Sequence, residues 1–296
     1  MIQDPEIVKP STLTSSYLLT GKRMIPSFLK HTSLICQFEL KRFFATRKGL
    51  LYMITFAFIW YLILFYPIRF SSDFLGQQQN TPEGNSFFQF IGFGSLLNWR
   101  IPELGVYWHF SLVIFPLLTV VTSADQTCSD RNRGTLRFVC LRVSRGSLFF
   151  GRFSGIMLTQ AILILASLLS TVALIAFRDT TLLSVAFNSA SAIFLSLVIA
   201  LLPFTAMMAA LSATVQSARQ ATSWAILIWT FLAWIISIFS AYLPALNSLK
   251  LLIPGYQISN LSQLAEWQTL QLAYIPLLQT IILLSIGRWI IHRQSL

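Results

Sequence analysis

Six apolar segments, each long enough to cross a bilayer, constrain the fold of this chain more than any other feature. A transmembrane helix needs about 20 mostly apolar residues to cover the hydrocarbon core. Such segments lie near Gly49–Ile68, Gly105–Thr122, Ile156–Phe177, Ser191–Val215, Ala221–Tyr242 and Leu270–Gly287. Because backbone polar groups cannot be left unpaired in lipid, helices are the expected structure. The sequence therefore predicts an all-α polytopic membrane protein with six transmembrane helices, in which Pro203 kinks the fourth.

The distribution of positive charge predicts how the chain lies in the membrane. Only 10% of the residues are charged, against about 25% in an average soluble protein, and the formal net charge is +11. With the N-terminus inside, 17 of the 21 lysines and arginines fall on the inner side and four on the outer side. Basic residues concentrate on the cytoplasmic side of membrane proteins. We therefore expect both termini in the cytoplasm of a multi-pass protein of the inner (plasma) membrane, and no nucleic-acid partner.

The segment before the first span has the pattern of a helix that lies in the membrane interface. Its apolar residues recur at helical spacing and its basic residues lie between them, at Lys41, Arg42, Arg47 and Lys48. Such helices direct their basic side chains toward lipid phosphates. Glu39 and Arg42 have the i, i+3 spacing of a helical ion pair. The predicted organisation is a cytosolic tail (1–25), an amphipathic interfacial helix (26–48), the six-helix domain (49–291) and a second cytosolic tail (292–296).

No residue pattern predicts catalysis or cofactor binding in this chain. The glycines in Gly146–Phe153 have Walker A spacing, but the phosphate-binding Lys and the Ser or Thr that binds magnesium are missing. No motif for an intramembrane hydrolase and no metal-spaced set of His and Cys appears. No acidic residue falls within the six spans, and the only ionisable side chain clearly inside one is His109. A secondary carrier is disfavoured, because such proteins retain ionisable groups in their spans.

The basic stretch between the second and third spans predicts a short amphipathic helix. From Gly134 onward, apolar side chains recur at i, i+3, i+4 and i+7, namely Leu136, Val139, Cys140 and Val143. Arg137, Arg142 and Arg145 fall on another face. These arginines either follow only from membrane topology or belong to a docking surface for another protein. Gly151 and Gly155 form a GxxxG pattern that would let a second helix approach the third span.

This stretch resembles the membrane subunits of ABC-2 type ABC transporters. The similar parts are Asp130–Leu136 with its Gly-Thr-Leu, Leu141–Arg145 with its Val-Ser-Arg, and Phe150–Phe153 with its Gly-Arg. Phe38–Arg42 looks like the amphipathic elbow helix of that family, and Pro116–Leu118 and Pro254 are also similar. Three positions depart from the family pattern: Arg142 replaces the usual proline, Arg152 the usual lysine and Asp130 the usual glutamate.

The resemblance implies a permease that works as a homo- or heterodimer on two separate cytosolic ABC ATPase subunits, which bind ATP and Mg²⁺. This chain would then hold no cofactor and no catalytic residue. A coupling helix would dock on the ATPase through Asp130, Arg131, Arg133, Gly134, Thr135, Leu136, Arg137, Val139 and Val143. In that assignment Gly134 permits the turn, Thr135 and Asp130 cap the helix, the apolar residues pack on the ATPase, and Arg133 and Arg137 pair with its acids. Glu39, Lys41 and Arg42 belong to the elbow helix.

The predicted function is ATP-driven movement of a substrate, with export favoured by the resemblance. An apolar, phenylalanine-rich interface between two copies suits a lipid, an amphipathic drug or a lipidated peptide. The alternative is a membrane module that drives a mechanical or maturation task on an extracytoplasmic partner, with the loop 69–103 as its effector. A secondary carrier is the third and least favoured interpretation.

Overall fold

The computed structural model describes residues 11–69, 99–242, 250–251 and 253–293, and side chains within 28–238 and 250–293 of those ranges. Every regular element in the described residues is a helix. The elements are α1 (Ser11–Ala45), α2 (Arg47–Ile63), α3 (Pro102–Ser123), α4 (Cys128–Asn132), α5 (Thr135–Cys140), α6 (Arg145–Arg178), α7 (Leu183–Thr214), α8 (Ala218–Tyr242), α9 (Ile258–Leu261) and α10 (Tyr274–Arg293).

Six of these helical segments are long and apolar enough to cross a membrane, as predicted. They are Arg47–Ile68, Pro102–Asn132, Arg145–Arg178, Thr180–Thr214, Ala218–Ile238 and Tyr274–Arg293, which we number spans 1 to 6. The fold class, an all-α polytopic membrane protein, is therefore confirmed. We call the end of the bundle that holds residues 124–146 and the C-terminal end of α10 the basic end.

Local sequence signals account for where several spans begin. The hydroxyl of Thr46 accepts a hydrogen bond from the Gly49 amide at 3.2 Å, and this bond caps α2. The hydroxyl of Ser144 accepts one from the Ser147 amide at 3.1 Å and caps α6 in the same way. Pro102 occupies the first turn of α3, where its missing N–H costs nothing. Span 1 ends in a π-helical turn, Leu64–Ile68, which contains Pro67.

The core of the bundle surrounds α7. This helix packs along α3, α6 and α10, and α6 packs in turn against α1. Fully buried aromatic rings fill the contact between spans 1 and 2, where the ring centres of Trp60 and Tyr107 lie 5.0 Å apart in an edge-on arrangement. Aromatic pairs of this geometry add to the stabilisation from burial. Spans 1 and 5 lie at the margin of the bundle, with most of their side chains exposed.

The chain between spans 5 and 6 returns into the bundle at residues 253–261. A Cβ at Gly255 would lie 2.8 Å from Cζ of Phe204, and Phe204 lies two thirds of the way along α7. The carbonyl of Ile253 accepts a hydrogen bond from the Gln279 amide group at 3.1 Å, and the indole of Trp108 donates to the Leu261 carbonyl at 3.1 Å. The described part of the chain between spans 5 and 6 thus enters the bundle.

Some boundaries differ from the prediction. The first helix begins at Ser11, within the predicted tail, so the boundary between tail and elbow helix at residue 25 has no structural counterpart. The last helix continues to Arg293, into the predicted C-terminal tail. Most of the loop 69–103, assigned above to a possible effector role, lies outside the described residues.

Candidate functional site

The basic end carries the short helix that the sequence predicts between spans 2 and 3. This helix is α5, and it is separated from α4 by Arg133 and Gly134. Gly134 has a φ of +70°, in the left-handed region that favours glycine. A Cβ at this position would meet no atom within 4 Å, so the backbone conformation alone accounts for the glycine. Gly134 therefore sets the angle at which α5 leaves α4.

Asp130 and Thr135 lie together, but they do not cap α5 as predicted. The hydroxyl of Thr135 donates to the backbone carbonyl of Asp130 at 3.0 Å and approaches its carboxylate at 3.4 Å. The residue at the cap position is Gly134, which has no side chain to offer. The pair instead closes the turn between α4 and α5.

The apolar face of α5 is divided between the inside of the protein and the solvent. Leu136 is only 7% exposed and lines a small internal cavity with Leu148, Phe149 and Ala213. Leu136 is therefore unavailable to a partner, and the prediction that it packs on an ATPase is wrong. Val139 and Val143 face a groove between α5 and α1, lined also by Leu34, Ile35 and Phe38.

The most exposed apolar side chains of this region are Phe138 in α5 and Leu141 directly after it, which the sequence analysis missed. They are 73% and 83% exposed, and they lie among the exposed arginines Arg137 and Arg142. We call these four residues the α5 surface. Phe138 and Leu141 have the same i, i+3 spacing as Leu136 and Val139 in the predicted apolar face. Spacing alone therefore could not show which of the two faces points outward.

Two arginines attach the α5 region to the ends of other spans. Arg131 donates to the carbonyls of Ala213 and Thr214, at 2.8 and 3.3 Å, at the C-terminus of α7. Arg145 donates to the carbonyl of Ile291, at 3.2 Å, near the C-terminus of α10. A cation at a helix C-terminus is favoured by the helix dipole and by the unpaired carbonyls. Arg131, predicted to belong to the docking surface, thus serves the membrane domain itself.

A buried ionic cluster lies beside this region, and its central residue is Arg152 in α6. Its guanidinium pairs with the carboxylate of Asp130, donates to the Gln126 carbonyl and lies 3.3 Å from the Glu39 carboxylate. Glu39 pairs in addition with Arg42 at 3.3 Å, the predicted i, i+3 pair. Burial raises the pKa of Glu39 above its usual value, while the two arginines act to lower it. The cluster joins α1, α4 and α6.

The glycines of the GxxxG pattern lie where α1 crosses α6. A Cβ at Gly151 would lie 2.8 Å from Cβ of Ile35, and one at Gly155 would lie 2.7 Å from Cβ of Glu39. Both distances are shorter than side chains tolerate, so any larger residue would push α1 away. Small residues permit this close helix approach. The approach also brings Glu39 to Arg152.

The remaining predicted residues make fewer contacts. Lys41 is exposed on α1, and Arg133 is exposed and lines a cavity between α1 and spans 1 to 3. No cluster of three or more His, Cys, Asp or Glu side chains that could hold a metal occurs among the residues the structure describes. The chemistry of the basic end is therefore that of ion pairs and an exposed apolar and cationic surface.

Comparisons with known proteins agree with this architecture at the level of the family. No curated protein matches the chain. Residues 34–288 match the family described as ABC-2 family transporter protein. The matched region includes the ionic cluster, α5, spans 1 to 5, and span 6 as far as residue 288. This match covers most of the 296 residues. The chain belongs to the ABC-2 family of transporter proteins.

Proposed function

We propose that this chain is the permease subunit of an ABC transporter whose ATP is hydrolysed by separate ABC ATPase subunits, which dock on the α5 surface. In this proposal the basic end and both termini lie in the cytoplasm, and the bundle lies in the inner (plasma) membrane. The observation that carries the proposal is the exposure of Phe138 in α5 and of Leu141 directly after it, whereas Leu136 is buried and Val139 lines the groove beside α1. Neighbouring large apolar side chains that are exposed to water commonly mark a site of interaction with another protein.

The composition of the α5 surface fits a protein partner. Two exposed apolar side chains form its centre, and Arg137 and Arg142 lie beside them. Apolar residues and arginine are enriched in protein interfaces, where arginine pairs with acidic groups of the partner. The amino-acid sequence contains no nucleotide-binding motif, which agrees with a division of labour between this chain and an ATPase.

Movement of α5 would be transmitted through the contacts at the basic end. Arg131 and Arg145 connect its neighbourhood to α7 and α10, and Arg152 connects it to α1 and α6. Through these contacts the movement would reach spans 4 and 6 as well as spans 2 and 3, which flank α5 in the sequence. ATP binding would favour one orientation of the basic end, and the bundle would change between inward-open and outward-open states as a population shift.

A second permease copy or a homologue completes the proposed transporter. Span 5 has only 11% of its apolar stretch buried, so a large face of α8 is free for lipid or for a second chain. The proposed direction is export, and the aromatic, apolar character of this face fits an amphipathic or lipidic substrate. ATP-dependent movement of such a substrate in liposomes supports transport. A stable extracytoplasmic protein partner without transport supports the alternative mechanical role.

The docking proposal can be tested by reconstituting this chain with its proposed ABC ATPase subunit. We expect Phe138→Asp and Arg137→Glu each to weaken ATPase binding by at least about tenfold, as removal of central interface residues commonly does. Arg219→Glu is the matched control, because Arg219 is also an exposed arginine at the basic end but lies on α8. Unchanged ATPase binding by both α5 variants, with normal insertion, would contradict the proposal.

A further inference from the structure

The basic end contains a cavity that the proposed docking mechanism does not use. Its volume is about 510 Å³, and α1, α2, α3 and α6 form most of its wall. Sites for small organic ligands typically enclose about 300–1,000 Å³. Thr46, Lys48, Gly49 and Tyr52 line it from the first turns of span 1. The cavity thus lies at the level where a transmembrane helix emerges from the hydrocarbon core.

Two of the cations around this cavity have no acidic partner among the residues that the structure describes. Of the three carboxylates, Glu39 and Asp130 pair with Arg152, and Asp125 accepts a hydrogen bond from the Ser129 amide at 3.2 Å. Arg42 forms a salt bridge with Glu39. Lys48 and Arg133 line the cavity and form no salt bridge with any residue in the described ranges. The cavity therefore offers two positive charges to an anion.

The rest of the wall is largely apolar and aromatic. Phe43, Tyr52, Val121, Ile156 and Leu163 contribute hydrophobic surface, and Thr122, Thr159 and Gln160 contribute a few polar groups. Gln160 is buried, and its carboxamide is held by the hydroxyl of Thr205 at 3.2 Å. A small inorganic anion would leave this apolar wall without a contact. A ligand with an anionic head and a hydrocarbon chain would satisfy both parts.

We propose that this cavity binds an anionic phospholipid, with its phosphate between Lys48 and Arg133 and the beginning of its acyl chain against Phe43, Tyr52 and Val121. Basic residues at the membrane interface attract anionic headgroups, and a cavity with apolar walls adds selectivity for a chain. The proposal goes beyond the ATPase docking proposed above. Because binding needs no ATPase, its failure can be distinguished from failure of the docking proposal.

The test uses the full chain purified in detergent and titrated with phosphatidylglycerol or phosphatidylcholine of identical chains, with bound lipid counted by native mass spectrometry. We expect one molecule of phosphatidylglycerol to bind per chain, in preference to phosphatidylcholine. The double variant Lys48→Gln/Arg133→Gln should bind it at least about tenfold more weakly, since each cation near an anionic headgroup contributes to affinity. The variant Val121→Trp, which fills the cavity without changing charge, should also weaken binding.

Matched variants separate this site from general attraction to a basic surface. Arg219→Gln/Arg288→Gln removes two exposed cations outside the cavity, and Val113→Trp places the same ring on an exposed position of α3 outside it. Both should leave binding unchanged. The proposal is overturned if these controls weaken binding as much as the cavity variants, or if phosphatidylcholine binds equally well. Displacement of the lipid by millimolar inorganic phosphate would show a free-phosphate site instead and would also overturn it.

Discussion

Spans 4 and 5 are consecutive, equally able to cross a membrane by length and composition, and opposite in their packing. In their most apolar 18-residue stretches, 72% of the residues of span 4 are buried within the chain and 11% of those of span 5. Hydropathy places both helices in the membrane, but it does not distinguish the centre of the bundle from its margin. The largest side chains do, since α8 contains three tryptophans, Trp224, Trp229 and Trp234, and α7 contains none.

Small side chains allow the neighbours of α7 to approach it closely. Ala206 is fully buried and packs with Phe153 and Met157 of span 3. Gly287 of α10 has the Ala210 backbone 3.3 Å from the position of a Cβ. Without a hydrophobic driving force between helices in lipid, this close packing is what holds transmembrane helices together. The bulky residues of α8, by contrast, offer a large surface for lipid or for another chain.

The first prediction compares the same substitution in the two helices. We expect Phe204→Ala in α7 to lower the free energy of unfolding by about 4 kcal/mol, because it opens a cavity beside Trp229 and Gly255. Phe231→Ala in α8 should change it by less than about 0.5 kcal/mol, because that ring is 60% exposed. Unfolding in mixed detergent micelles measures both values. Equal decreases in the free energy of unfolding for the two variants would show that the difference in burial does not affect stability.

The second prediction applies the same contrast to charged residues. Arg152→Ala in span 3 should cost about 3 kcal/mol, because it leaves the buried Glu39 with only Arg42 as a partner. Arg219→Ala, at the exposed beginning of span 5, should have little effect. Thermal unfolding of the two variants side by side measures the difference. A stable Arg152→Ala protein would mean that the cluster does not hold α1 on α6.

The third prediction concerns the part of span 3 that α1 covers. Gly155→Val should cost about 2 kcal/mol, because the added atoms overlap Glu39 and the Cys36 backbone. Gly146→Ala, in the same helix, meets only the Phe28 ring at 3.5 Å and should be neutral or stabilising, since alanine is the better helix former. Protease accessibility of α1 offers a second measurement. It should rise in Gly155→Val and stay unchanged in Gly146→Ala.

The smallest expected effects are the opposite pH dependences of two carboxylates outside the spans. Burial raises the pKa of Glu39, so its contribution to stability is present at low pH and is lost as pH rises through the folded-state pKa. Hydrogen bonds from Thr181 lower the pKa of Asp179, so its contribution to stability is present at higher pH and is lost as pH falls. The stability difference from wild type should therefore change with opposite signs, for Glu39→Gln as pH rises above about 4 and for Asp179→Asn as pH falls below about 4. Parallel slopes would contradict these assignments.

The sequence was sufficient to predict the number of spans, because about 20 apolar residues and the need to pair the backbone leave few alternatives. Gly134 could also be identified, since a glycine before a periodic helix often marks a turn. The face of α5 that points outward could not be predicted from the sequence. An apolar stripe shows that a face is covered but not what covers it, and Leu136 is covered by spans 3, 4 and 6 of the same chain.

The ionic cluster shows a second limit of sequence reasoning. Glu39 and Arg42 were expected to pair because they are close in sequence, but Arg152 is more than a hundred residues away and was noted only as a departure from a family pattern. Its partners come together because Gly151 and Gly155 admit α1. The charge pairing is thus a consequence of a close helix crossing, and neither motif alone contains that information.

The contacts of Arg131 and Arg145 have a consequence for the size of any stroke at the basic end. Both guanidiniums hold the final carbonyls of helices that are not adjacent to α5 in sequence. A force applied to α5 is therefore transmitted to several helix ends, which would move together as one rigid unit. Under the docking proposal, a small tilt of these joined helix ends is magnified over the length of the spans, so a short displacement by the ATPase would open a wide gap at the far leaflet.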